Sequence, residues 1–170
     1  MLRVTLMFKT NLNQTDSEID SFIRKRTENI RHGGRPFYEH LKGTMDLLKA
    51  QGAPDYVQVA GLFHAIYSTA KFHTKAASLD ERAEIRKLIG EPAERLIYIF
   101  CASEHRPEAW LTRVEHPAPY DIKDRFDGSV IELSARDLFD LLTIELANLV
   151  EQRNIQMVPQ ICEAMTRLKK

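Results

Sequence analysis

The sequence predicts an all-α fold, one domain of seven or eight helices. Three observations carry that prediction. Apolar residues recur at three- and four-residue spacings over most of the chain. Helix-start and helix-stop residues fall at the ends of those segments. Alternating, strand-like patterning is confined to two short stretches, an arm at residues 1–13 and a hairpin near 125–133.

The elements follow in order. Val4, Leu6 and Phe8 alternate with Thr5 and Met7, which reads as a short strand or a docked arm. Thr15–Asp16–Ser17–Glu18 is a capping box, and Ile19, Phe22, Ile23 and Ile30 continue it at helical spacing. The Gly33–Gly34 pair is expected to end that helix. Pro36 suits the start of the next, where Phe37, Leu41, Met45 and Leu48 form one stripe. His40, Gly43, Thr44 and Leu47 form the stripe beside it. Gln51–Gly52–Ala53–Pro54 stops that helix and starts another. Val57, Val59, Ala60, Leu62, Phe63 and Ile66 are apolar on nearly every side of it, so it should be central, with His64 set within it. A polar connection covers residues 68–78.

Ser78 with Glu81 opens a helix that Gly90 stops. Pro92 begins a helix that buries Leu96, Ile97, Ile99 and Phe100 and ends near Glu104–His105. Prolines between 107 and 119 imply an irregular segment with a short helix around Glu108–Arg113. Asp127–Gly128 before Val130–Ile131 predicts the hairpin. Ser134 with Asp137 caps a long helix to about Gln152, and Pro159 sits in the first turn of the last.

Composition bounds the function. At 170 residues the chain can bury a sizeable core, and no linker divides 1–170 into two domains. Lys plus Arg and Asp plus Glu are both 24, so the net charge is zero. That gives no electrostatic reason to expect a nucleic-acid polymer or a membrane surface as partner. The opening apolar run is too short for a signal peptide, and no run reaches a membrane span. Cys101 and Cys162 lie far apart in apolar contexts and read as two buried free thiols of a cytoplasmic protein. The expected partner is a small-molecule ligand, and the surface leaves room for a homodimer.

The candidate chemistry centres on Arg31–Thr69. His40 and His64 lie 24 residues apart in consecutive helices. They either face one another across a pocket, as acid/base groups or ligands, or are two buried, hydrogen-bonded core histidines. His73, His105 and His116 fall in connections, where they could add ligands but are more commonly exposed loop histidines. Arg31 and Arg35 flank a glycine turn, and either guanidinium fork could hold a phosphate or carboxylate, or equally be a surface charge or pair with Glu39 or Asp46. Tyr67, Thr69 and Lys71 should line the pocket mouth. Glu145 stands in the apolar run Leu141–Val150, three residues before Asn148 and on the same helix face. A carboxylate there must be paired, Arg31 and Arg35 being the obvious partners, or carry its proton. Cys101 reads as core.

Arg31, the Gly33–Pro36 turn and His40, followed by Leu62–Thr69 (LFHAIYST) and Leu146–Ala147–Asn148, resemble the HD superfamily. The likeness spans roughly residues 20–155. It is nearest to the guanosine tetraphosphate hydrolase branch, and closer still to a group of small HD-like bacterial domains with a degenerate His-Asp motif. The resemblance implies a helical phosphohydrolase fold and a divalent metal held by two histidines and two aspartates. This chain keeps His40 and His64. It has Ala65 and Asn148 where the aspartates would stand, and Ser68 and Thr69 where a Glu-Asp pair would fall. The implied metal set shrinks to His40, His64 and Asn148, so a divalent metal (Mn, Fe or Zn) and no cofactor at all are equal expectations. Glu145 would supply the missing acidic function. Two functions follow. One is an HD-like small-molecule enzyme acting on an anionic or phosphorylated substrate, with His40, His64 and Glu145 as catalytic groups and Arg31, Arg35, Tyr67, Thr69, Lys71 and Asn148 binding substrate. The other is an inactive HD-like domain that binds a ligand or a protein.

Overall fold

The computed structural model describes residues 16–169. The expected arm at 1–13 and the Thr15 half of the first capping box lie outside them. The fold is all-α with two small antiparallel hairpins. Helix α1 spans residues 16–27. A two-residue ladder follows, β1 (Arg31–His32) against β2 (Arg35–Pro36). Then come α2 (Phe37–Ala50) and α3 (Asp55–Phe63). A 3₁₀ turn (Leu79–Glu81) leads into α4 (Arg82–Ile89), α5 (Glu91–Ala102) and α6 (Glu108–Val114). The second hairpin pairs β3 (Tyr120–Lys123) with β4 (Val130–Leu133). Helices α7 (Ala135–Glu151) and α8 (Val158–Leu168) complete the chain. Among the described residues no helix is long and apolar enough to cross a membrane.

Helix α3 is the hub, packed against α2, α5 and α7. Its neighbours bury Leu41, Leu48, Ile97, Phe100, Leu141 and Ile144 around it. Gly61 makes that closeness possible. A Cβ there would run into the Leu48 side chain of α2.

Three expected boundaries move. The Gly33–Gly34 pair does not end α1, which stops at residue 27. Both glycines instead have positive φ, 57° and 84°, and form the turn between β1 and β2. Helix α3 ends at Phe63, so His64 is its C-cap rather than a residue within it. Residues 64–67 continue as a turn that doubles the chain back, with Ala76 and Ala77 donating to the Ile66 carbonyl. Helix α5 stops at Ala102 instead of running on to Glu104–His105. Both cysteines are free thiols, but only Cys101 is buried, because Cys162 lies on the outer face of α8. The capping box at Ser134–Asp137 is present in full, with the Asp137 amide donating to Ser134 Oγ.

Candidate functional site

Four segments converge on one cavity of about 130 Å³. Helix α2 brings His40, the end of α3 brings His64, α7 brings Glu145, Asn148 and Gln152, and the loop after α5 brings His105 and Arg106. His32, Thr69, Lys71 and Phe72 are also among the residues that line it.

The histidine pair lies at its centre. His40 Nε2 and His64 Nε2 are 3.2 Å apart, and both rings are almost fully buried. The other nitrogen of each ring is already committed. His64 Nδ1 lies 2.7 Å from the Gly61 carbonyl, which can only accept, so that nitrogen carries a proton. His40 Nδ1 lies 2.5 Å from Glu151 Oε2, where it donates to a carboxylate. Two neutral rings so fixed aim bare lone pairs at one another. A single added proton turns that repulsion into an N–H···N hydrogen bond, so the Glu151–His40–His64 chain has a place for one proton at the cavity wall.

Electrostatics set when that place is filled. Burial lowers the pKa of His40, and the hydrogen bond and charge of Glu151 oppose it. Burial and the nearness of His40 hold His64 well below the usual imidazole value, against the Gly61 carbonyl, which favours the charged form. Burial alone would raise the Glu151 carboxyl, but hydrogen bonds from Arg35 and His40 outweigh it and hold it low. Gly43, one turn beyond His40, leaves the room in which Glu151 reaches that ring. A Cβ at position 43 would stand 2.9 Å from Glu151 Oε1.

The HD-type metal can be tested against these donors. Two Nε2 atoms at this separation could both reach a metal at roughly 2.0–2.1 Å, but a catalytic metal takes at least three protein ligands. Ala65 offers none. The Asn148 amide is engaged on both sides, donating to Glu145 Oε2 at 3.1 Å and accepting from Gln152 Nε2 at 2.7 Å. Among the described residues no group of three or more His, Cys, Asp or Glu side chains is placed to hold a metal ion. The residues present do not fit a resident catalytic metal.

The expected substrate residues divide. Thr69, Lys71, Asn148, Glu145 and both histidines line the cavity. Arg31 does not. It is exposed, and its Nη2 donates to the Gly34 carbonyl. Arg35 is the ion-pair partner of Glu151, so its charge is spent outside the cavity. Tyr67 is not at a mouth, because it is buried with its hydroxyl 3.3 Å from Glu94. The partner of Glu145 is neither Arg31 nor Arg35 but Arg106, with Nε 3.5 Å from Oε2. Cys101 is core. It donates to the His64 carbonyl at 3.3 Å, and burial pushes its thiol up to about 11.

His32, Phe72, Arg106, Glu151 and Gln152 enter the site without having been expected there. The His32 ring lies 4.6 Å from that of His40 and 4.9 Å from that of Phe72. Glu151 and Gln152 were within reach of helix periodicity, at three and four residues past Asn148 on one face of α7. His32 lies on the two-residue strand β1 and Arg106 in a loop, both too short or irregular for a period to place a side chain.

The fold and cavity define an all-α domain built around a buried, carboxylate-anchored histidine pair. Residues 22–105 are similar to the family model of a domain of unknown function, DUF6817. That stretch contributes His40 and His64 and stops one residue short of Arg106, so the α7 wall of the cavity lies beyond it. Neither the curated proteins nor the solved structures contain a match to the chain.

Proposed function

We propose that the chain is an HD-like small-molecule enzyme acting on an anionic or phosphorylated substrate, in which the His40–His64 pair does acid–base work without a resident metal. The observation that supports this reading is the 3.2 Å Nε2–Nε2 contact, with each Nδ1 already fixed as a donor, at the wall of a cavity. A neutral imidazole held below its ordinary pKa accepts a proton from a water or a substrate hydroxyl. Glu151 stabilises the charge on His40 as the proton is shared along the pair. Hydrolysis of a phosphate ester is the reaction class that the resemblance favours.

The test is turnover of a panel of small phosphate esters by EDTA-treated protein. His64→Gln should lower kcat/KM by about 10²–10⁴, and metal addition should not restore it.

A second reading is an inactive HD-like module that binds a ligand or a protein. Ala65 and the doubly engaged Asn148 favour it, because both acidic positions of the resembled motif are lost. Saturable ligand binding with no turnover by the wild-type protein would support this reading against the first.

A further inference from the structure

Arg106 is a cation of this cavity with a buried, unused hydrogen-bonding edge. Nη1 donates to the Phe100 carbonyl at 2.9 Å, and the guanidinium lies over the Phe100 ring, 3.8 Å from its centroid. Those two contacts fix the plane of the fork. Nε, on the remaining side, is buried and has no hydrogen-bond partner among the described residues. Glu145 Oε2 stands 3.5 Å away, near enough for charge attraction but outside hydrogen-bond geometry. Asn148 Nδ2 donates to that same oxygen, which keeps the Glu145 carboxylate on α7 from closing the gap. A buried N–H left without a partner costs free energy comparable to a lost hydrogen bond, so the position favours whatever acceptor reaches it.

We propose that the Nε–Nη2 edge of Arg106 is an oxyanion subsite of this cavity, and that it takes a singly charged group presenting two oxygens in one plane. This rests on the reading of the cavity as a site for an anionic substrate, and it names the residue that binds the anion. Arg31 and Arg35 are engaged elsewhere. Planar guanidinium matches two oxygens of a carboxylate or phosphate side by side. The charge limit comes from the lining. Arg106 and the exposed Lys71 contribute two positive charges, Glu145 contributes one negative, burial disfavours the charged forms of His40 and His64, and His32 and His105 also face the cavity. With the imidazoles uncharged a monoanion balances that set, whereas a dianion would lie against Glu145. The bound group would sit beside His64, which is also in the lining, and so within the reach of the histidine pair.

The test uses the full chain, ¹⁵N-labelled, with the Arg106 side-chain Nε–H resonance followed by NMR. Acetate and inorganic phosphate at pH 6, where phosphate is mostly singly charged, are the two probes. The proposal expects a saturable shift of that resonance with at least one probe, and the stronger probe tells whether the group is a carboxylate or a phosphate. Between pH 6 and pH 8 phosphate, which becomes mostly doubly charged, should weaken several-fold more than acetate, which stays singly charged while His32, His40, His64 and His105 face both probes alike. Arg106→Lys keeps the charge but loses the fork, and should weaken the better probe at least tenfold. Glu145→Gln removes the like charge and should tighten it several-fold, which keeps the proposal testable if the lysine variant fails to fold. An Arg106 resonance unmoved by both probes, or equal affinity in Glu145→Gln, would overturn it. Loss of turnover in the ester panel with the probe shifts intact would instead count against the enzymatic reading alone.

Discussion

Glu94, a buried carboxylate, and Glu151, a partly buried one, are each held by charged or polar side chains, and they are built for different ends. Glu94, on α5, is fully buried and takes Arg82 Nε at 2.7 Å, Arg86 Nη2 at 3.1 Å and the Tyr67 hydroxyl at 3.3 Å. Both main partners are permanently charged, and Arg82 is further fixed over the Tyr98 ring at 3.5 Å. That cluster ties α4 and the turn after α3 to α5. Glu151, on α7, has one permanent partner, Arg35, and one that titrates, His40. Replacing an arginine by a histidine turns a strut into a place where a proton can be held and moved. The second histidine then carries that place to a cavity wall.

The largest effect that separates the two should be on stability. Glu94→Gln leaves two partly exposed arginines without their counter-charge and should cost about 2 kcal/mol. Glu151→Gln keeps an acceptor for His40 and should cost about 1 kcal/mol. Urea denaturation of the two variants measures the difference, and equal losses would erase the distinction between strut and proton site.

Acid should come next. His40 and His64 both have folded-state pKa values below the ordinary 6.5. Above about pH 6.5 neither the folded nor the unfolded chain binds these protons, and stability is unaffected by them. As pH falls below 6.5 the unfolded chain takes up protons that the buried rings resist, so stability falls until the folded rings also titrate. Wild type should therefore lose denaturation free energy from pH 6.5 downward, and His64→Gln should lose less over the same interval.

The smallest effect on stability belongs to Gly43→Ala. Alanine improves a helix interior by roughly 0.5–1 kcal/mol, while its Cβ displaces only the flexible end of Glu151. Unfolding should be unchanged or slightly later, yet His40 loses its anchor, so turnover or probe binding should fall. A variant that is as stable and as active as wild type would show that Glu151 does not position His40.

Much of this architecture is legible in the chain. The Ser78 and Ser134 capping boxes, the Pro-marked helix starts and the apolar stripes of α2, α3 and α5 place most elements. His40 and His64 stand out because a polar ring interrupts an apolar pattern, and Glu145 for the same reason. What is not legible depends on contacts remote in sequence. Glu151 meets His40 across 111 residues, and Arg106 meets Glu145 between a loop and a helix. Tyr67 follows the second histidine as a mouth residue would, but the turn that begins at His64 carries it into the core beside Glu94. The same turn explains why a period extended through His64 overshoots the end of α3.

The central claim is that His40 and His64 hold one proton between them rather than a metal. Its most direct measurement is a ¹⁵N NMR titration of the two imidazole rings in chelator-treated protein. The geometry predicts both rings protonated at Nδ1 at pH 8, and uptake of a single shared proton by the pair well below pH 6.5, seen as coupled shifts of both Nε2 signals. Two independent titrations near 6.5, or stoichiometric metal retained on both Nε2 atoms through chelation, would contradict it.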